Sequence, residues 1–91
     1  MPVQIQIPAA LRAQTNGEAE LRVEAASVRD ALASLLMRHP ALQERLMDEK
    51  GVLRRFVNVY VNEDDMRFLK DMETPLRNGD VISIVPAIAG G

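Results

Sequence analysis

The chain contains no cysteine and no tryptophan. The first absence excludes disulfides, thiolate metal sites and cysteine nucleophiles within these residues. Only three aromatic rings are present, Phe56, Tyr60 and Phe68, so the core has to be assembled from Val, Ile, Leu, Ala and Met. His39 is the single histidine and has no second ligand or nucleophile beside it. No Ser-His-Asp site is therefore available, and no metal site is expected. Glu63-Asp64-Asp65 lacks the loop spacing of a calcium site and reads as a solvated turn. Neither a G-x-x-x-x-G-K-[ST] phosphate loop nor a G-x-G-x-x-G fingerprint occurs. No stretch approaches the roughly 20 apolar residues of a membrane span. The opening Met-Pro-Val-Gln-Ile-Gln-Ile lacks the basic and apolar regions of a signal peptide, so residence in the cytoplasm is the expectation. The net charge of −2 argues against a general nucleic-acid binder, which needs a basic footprint.

What is there is a folded-domain composition, 47% apolar and 26% charged, in a chain of one-domain length. The sequence closes on Pro86-Ala87-Ile88-Ala89-Gly90-Gly91. Two glycines have no Cβ atoms and unusually free φ, so such a tail can thread a channel too narrow for side chains. It also leaves the Gly91 carboxylate open to attack. A carboxylate is a poor electrophile, so a partner has to activate it. The bland alternative is a frayed end without a role.

Periodicity supplies the elements. Val3, Ile5 and Ile7 alternate with Gln4 and Gln6, predicting a half-buried strand ended by Pro8. Residues 9–17 read as a loop with Asn16-Gly17 as its turn. Ala19, Leu21 and Val23 alternate with charged residues, predicting a second strand in an antiparallel hairpin with the first. Ser27 opens a helix, with Asp30 three residues on in a weaker form of the capping box. Its stripe is Val28, Ala31, Leu32, Leu35 and Leu36. Pro40 stops it and starts a short second helix to about Met47. His39 stands at the first helix's C-terminus, where the dipole favours a cation.

Residues 55–62 form the strongest predicted strand, with Val57, Val59 and Val61 on one face and Phe56, Asn58, Tyr60 and Asn62 on the other. Met66-Arg67-Phe68-Leu69 is a candidate short edge strand. Asn78-Gly79-Asp80 is a turn into the last strand, residues 81–85, with Ile82 and Ile84 inward. One amphipathic helix over one sheet gives a two-layer α+β domain over residues 1–86, with residues 87–91 as a flexible tail. Pattern leaves the strand order open; the first and last strands are candidate neighbours at the centre.

This pattern, ending in Gly79-Asp80-Val81-Ile82-Ser83-Ile84-Val85-Pro86-Ala87-Ile88-Ala89-Gly90-Gly91, resembles the ubiquitin-like β-grasp sulfur carriers of the MoaD/ThiS type. The resemblance covers nearly the whole chain. It includes Ile7-Pro8 with Leu11-Arg12, the block Glu44-Arg45-Leu46-Met47-Asp48, residues 55–62, and Arg67-Phe68. The middle block is most similar to the carriers of cysteine biosynthesis. The resemblance implies a protein that is a substrate rather than an enzyme. An adenylating, E1-like activating enzyme would use ATP on the Gly91 carboxylate, a sulfur source would displace AMP, and the resulting thiocarboxylate would pass sulfur to an acceptor on a partner synthase. That synthase would be cysteine-synthase-like or the large subunit of molybdopterin synthase. No cofactor would be bound, because the chain has no phosphate loop and ATP would be handled in trans.

Candidate partner-binding residues follow from alternation and from the resemblance. Val81 and Val85 face away from the helix, and Phe56 and Tyr60 are candidates to join them in an apolar docking patch near the tail. The alternative is scattered surface apolars. Phe68 is a further candidate. Pro86 ends the ladder and launches the tail, and Ile88 either anchors in the partner's channel or folds back on the domain. Arg12 and Arg67, which recur in the look-alikes, either meet an acidic partner surface or are simply solvated. The functional alternatives are the small subunit of molybdopterin synthase, a ubiquitin-like protein modifier joined through Gly91 to lysines, and a β-grasp interaction domain whose glycines are incidental.

Overall fold

The structure, a computed structural model, describes residues 2–86. Ile88, Gly90 and Gly91, and the expected flexible tail over residues 87–91, lie outside the described residues. Strand β1 (Pro2–Gln6) pairs antiparallel with β2 (Glu20–Glu24), Ile5 standing opposite Leu21 and Val3 opposite Val23. These four side chains are buried, as the period-2 alternation requires. Helix α1 (Val28–Arg38) crosses the inner face. The Ser27 hydroxyl accepts a hydrogen bond from Asp30 N at 3.2 Å, satisfying one of the donors a helix start leaves free. Val28, Ala31, Leu32 and Leu35 of α1 are buried against the sheet, and Leu36 packs at the margin of the same core.

After α1, a 3-10 turn at Pro40–Leu42 leads into the one-turn helix α2 (Gln43–Leu46). Leu42 and Leu46 complete that side of the core. His39 caps α1 and is itself buried; its Nε2 lies 3.1 Å from Glu18 Oε1. The only described position of this imidazole is thus a hydrogen-bonded tie between the helix end and the turn before β2.

Strand β3 (Val57–Val61) runs antiparallel to β5 (Val81–Pro86), and β5 runs parallel to β1. The two-residue β4 (Asp64–Asp65) finishes the sheet, whose order is β2-β1-β5-β3-β4. The first and last strands are therefore central neighbours. The register places Val59 opposite Ile84 and Val61 opposite Ile82, all four buried beneath the helix. Two layers enclose one core, and this mixed five-stranded sheet with a crossing helix is the α+β β-grasp arrangement.

Four expectations need correction. The edge strand lies at Asp64–Asp65; Met66–Phe68 is a 3-10 helix. The Asp65 carboxylate accepts from Arg67 N at 2.9 Å, and this side-chain cap turns the chain out of the extended state. For the same reason Asp65 is buried, whereas Glu63 and Asp64 are solvated as expected. Residues 9–17 are more ordered than a plain loop. Ala9–Thr15 is a 3-10 helix that buries Leu11 and Thr15, and Asn16 and Gly17 leave it at φ 56° and 85°. Finally, β3 starts at Val57, because Val57 N donates to Arg54 O at 3.0 Å and closes a turn. Phe56 belongs to that turn and not to the strand.

Candidate functional site

The outer face of the sheet carries the side chains that alternation directs away from α1. The register links one row across all five strands. Glu20 stands opposite Gln6, Gln6 opposite Ser83, Ser83 opposite Tyr60, and Tyr60 opposite Asp65. Ser83 Oγ donates to Gln6 Oε1 at 3.2 Å within this row. The row is polar, and it divides the face into two ends.

At one end Val81 lies beside Gln4 and is half-buried. Asn62, at φ 59°, closes that end. Its backbone N–H donates to Val81 O at 2.6 Å and its Oδ1 accepts from Val81 N at 3.1 Å. At the other end Val85 stands opposite Asn58, and Pro86 opposite Val57. Val85 is 44% exposed and Phe56 47% exposed, so two large apolar side chains meet solvent where β5 ends. β5 ends here at Pro86, having run parallel to β1 toward Ile7 and Pro8.

The structure thus separates the candidates of the docking patch. Val85, Phe56 and Pro86 gather where β5 ends, and Tyr60 borders them in the polar row. Val81 is four residues back along β5, about 13 Å at the usual strand rise, and across the polar row from Val85. Phe68, 86% exposed, belongs to the 3-10 helix beyond β4 and to no strand of this face. Asn58 joins Val85 at the tail end. It was legible only as an outward residue of β3, since register and not alternation decides its neighbour.

The two arginines differ in kind. Arg12 is exposed and its Nε donates to Ile7 O at 3.2 Å. It lines a shallow groove with Gln6, Pro8 and Val85 at the end of the sheet where β5 stops. Arg67 is fixed. Its Nη2 donates to Asp65 Oδ2 at 2.8 Å and its Nε to Oδ1 at 3.2 Å. The side-chain hydrogen bonds from Arg67, followed by its backbone N–H, hold the Asp65 carboxyl below its ordinary value. The guanidinium keeps its charge beside Tyr60 and is half in solvent.

Among the described residues no group of three or more His, Cys, Asp or Glu could hold a metal. Nor is any helix there long and apolar enough to cross a membrane.

The ThiS family model matches residues 5–91. The chain belongs to the ThiS family. The sulfur carrier protein CysO of Mycobacterium tuberculosis is 38% identical to this ThiS-family chain over 93 residues, the whole of both sequences. A chain of the crystal structure of the Amycolatopsis orientalis BexX/CysO complex superposes with a TM-score of 0.87 at 39% identity, covering 98% of this chain and 99% of that one. The crystal structure of SAMP1 from Haloferax volcanii gives a TM-score of 0.88 at 28% identity, covering all of both chains. The β-grasp arrangement is therefore shared with the carriers and with a small archaeal modifier protein.

Proposed function

We propose that this chain is a sulfur carrier, a protein co-substrate whose Gly91 carboxylate becomes a thiocarboxylate. The observation that carries the reading is full-length similarity to CysO, with the ThiS match running through Gly91. The site agrees with it in one respect: β5 ends beside exposed Val85 and Phe56, a surface on which a partner can hold the domain while it works on the tail. Five residues follow Pro86, and an extended chain of five spans about 17 Å. That is enough to reach from the docked domain into a partner's active site.

In the proposed reaction a carboxylate oxygen of Gly91 attacks the α-phosphorus of ATP held by an adenylating, E1-like enzyme. Pyrophosphate leaves and an acyl-adenylate forms. A sulfide sulfur then attacks the acyl carbon, AMP departs with the former carboxylate oxygen, and the thiocarboxylate remains. Gly90 and Gly91 leave the acyl carbon open on every side. The sulfur acceptor is a biosynthetic intermediate on a partner synthase, and the similarity to CysO favours a cysteine-synthase-like partner. A reaction that consumes ATP and sulfide belongs in the cytoplasm.

A second reading has a specific support, the similarity to SAMP1 over the full length. There the same acyl-adenylate would be captured by a lysine amine, and the chain would be a modifier. One experiment separates the two. The purified protein is incubated with its activating enzyme, ATP and sulfide, alkylated, and measured by intact and peptide mass. An ATP-dependent oxygen-to-sulfur exchange at Gly91 establishes the carrier. High-mass conjugates carrying the terminal peptide on lysine, without that exchange, establish the modifier.

A further inference from the structure

We propose that the open edge of β3, with the groove beside it, is a second docking site that takes an extended acidic segment of a partner protein. On one side β3 is covered by β5 along its whole length, residues 57–61. On the other side β4 reaches only Tyr60 and Val61. Among the described residues, Val57–Val59 have no strand opposite them there. Asn62 N donates toward β5, so by alternation the backbone groups of Val57, Val59 and Val61 point the other way. The Val57 N–H is used by Arg54 O. Val59 is left where Met66 turns into the 3-10 helix, with its backbone directed to this side, and an added strand would pair along Val57–Val59 beside that turn.

The gap opens into a groove of about 590 Å³. Val52, Leu53 and Met72 give it an apolar lining, and Val52 is 57% exposed although nothing polar requires it there. Its charge is one-sided. Arg54 and Arg55 have no acidic partner among the described residues; Arg54 Nε donates to the neutral Glu44 carbonyl at 3.0 Å. Arg29 also lines the groove but is paired with Glu73. Asp65 is neutralised by the Arg67 fork, which leaves Asp71 as the unpaired acid. In a chain of net charge −2, this lining carries a net positive charge. Aliphatic contacts, an unpaired strand edge and two guanidinium groups without an ion-pair partner among the described residues together fit an extended segment of aliphatic residues flanked by carboxylates. The inference stands independently of the chemistry at Gly91.

The test uses the full chain and a fluorescein-labelled octapeptide of four central Val and Ile residues flanked by two Glu on each side. Saturable binding is expected, with amide shifts in an ¹⁵N spectrum centred on Val57–Val59 and Arg55. Arg55→Glu and Val52→Asp alter exposed side chains that make no hydrogen bond or ion pair within the described residues, and each is expected to weaken binding about fivefold at an unchanged melting temperature. Equal binding of a peptide with Lys in place of Glu would overturn the proposal, as would shifts centred on Val85 and Tyr60. Absence of binding at millimolar peptide would also overturn it and leave the arginines as guards of a bare edge. A concentration-dependent dimer abolished by Arg55→Glu would assign the edge to a second copy of the chain instead.

Discussion

Val57 stands opposite Pro86, the first residue of β3 against the last residue of β5. The root of the tail is therefore fixed to a central ladder, and the neighbouring pair Asn58 and Val85 has a defined place beside it. A partner that grips the outer face at this end holds the tail's origin in one position. Val85→Asp puts a charge into that contact. It is expected to weaken binding of the activating enzyme about tenfold, in line with truncation of an interface anchor. The thermal midpoint should stay close to that of the parent, since Val85 already meets solvent. Val81→Asp, across the polar row, should cost less affinity. Equal losses from the two, measured by calorimetric titration, would mean that the whole strand face is used and not its tail end.

Removal of Gly91 shortens the tail by about 3.5 Å and moves the terminal carboxylate onto Gly90. The adenylate would then form short of the position where the partner holds its nucleotide. Thiocarboxylate formation is expected to be lost while docking persists. Single-turnover mass spectrometry reads the first and titration the second. Thiocarboxylate formation by the truncated chain at the parent rate would remove Gly91 from the chemistry.

The elements that carry a two-sided pattern were legible in the residues themselves. Val3 and Ile5, Val57 to Val61, and Val28 to Leu35 each alternate or repeat at one period, because each has one face in a single core. Strand order was not legible in this way. Ile5 and Ile82 have the same pattern whether β1 pairs with β5 or not, and only the closed sheet makes them neighbours. The edge was misread where a side chain outweighs the pattern. Residues 66–69 look extended, but the Asp65 carboxylate captures Arg67 N and the chain turns. The candidates for a docking patch could not be told apart for a similar reason: alternation selects Val81 and Val85 equally, and the register with β3 and β1 separates them. The chemistry proposed for Gly91 rests on composition and position alone, since Gly91 lies outside the described residues.

Leu35 lies on the buried stripe of α1 and is fully enclosed. Among the described residues α1 is the only α-helix of more than one turn, so no second long helix is placed to fill a gap beneath it. Leu35→Ala is expected to cost about 2–5 kcal/mol, the transfer of the lost atoms plus the cavity. That is a large fraction of what so small a domain has. Urea unfolding should show a lower midpoint with an unchanged slope. A cost under about 1 kcal/mol would mean that the helix settles onto the sheet to close the space.

The Asp65 and Arg67 fork makes the edge of the sheet sensitive to acid. Hydrogen bonds from Arg67 hold the folded-state carboxyl of Asp65 below its ordinary value. Where the folded value is the lower one, the unfolded chain binds the proton first as pH falls. The stabilisation is therefore complete above the unfolded value of about 3.9 and is lost as pH drops through the folded value. At pH near 7, Asp65→Asn should unfold at lower urea than the parent, because the amide cannot accept the guanidinium fork with a full charge and carries one acceptor oxygen in place of two. As pH is lowered below about 4, the parent should lose this advantage and the two midpoints should converge. Arg67→Gln should behave like Asp65→Asn, and the double variant should add little to either, as expected for two members of one interaction. A gap between parent and Asp65→Asn that stays constant from neutral to acid would show that the residue does not act through its charge, since Asn keeps an oxygen to accept from Arg67 N.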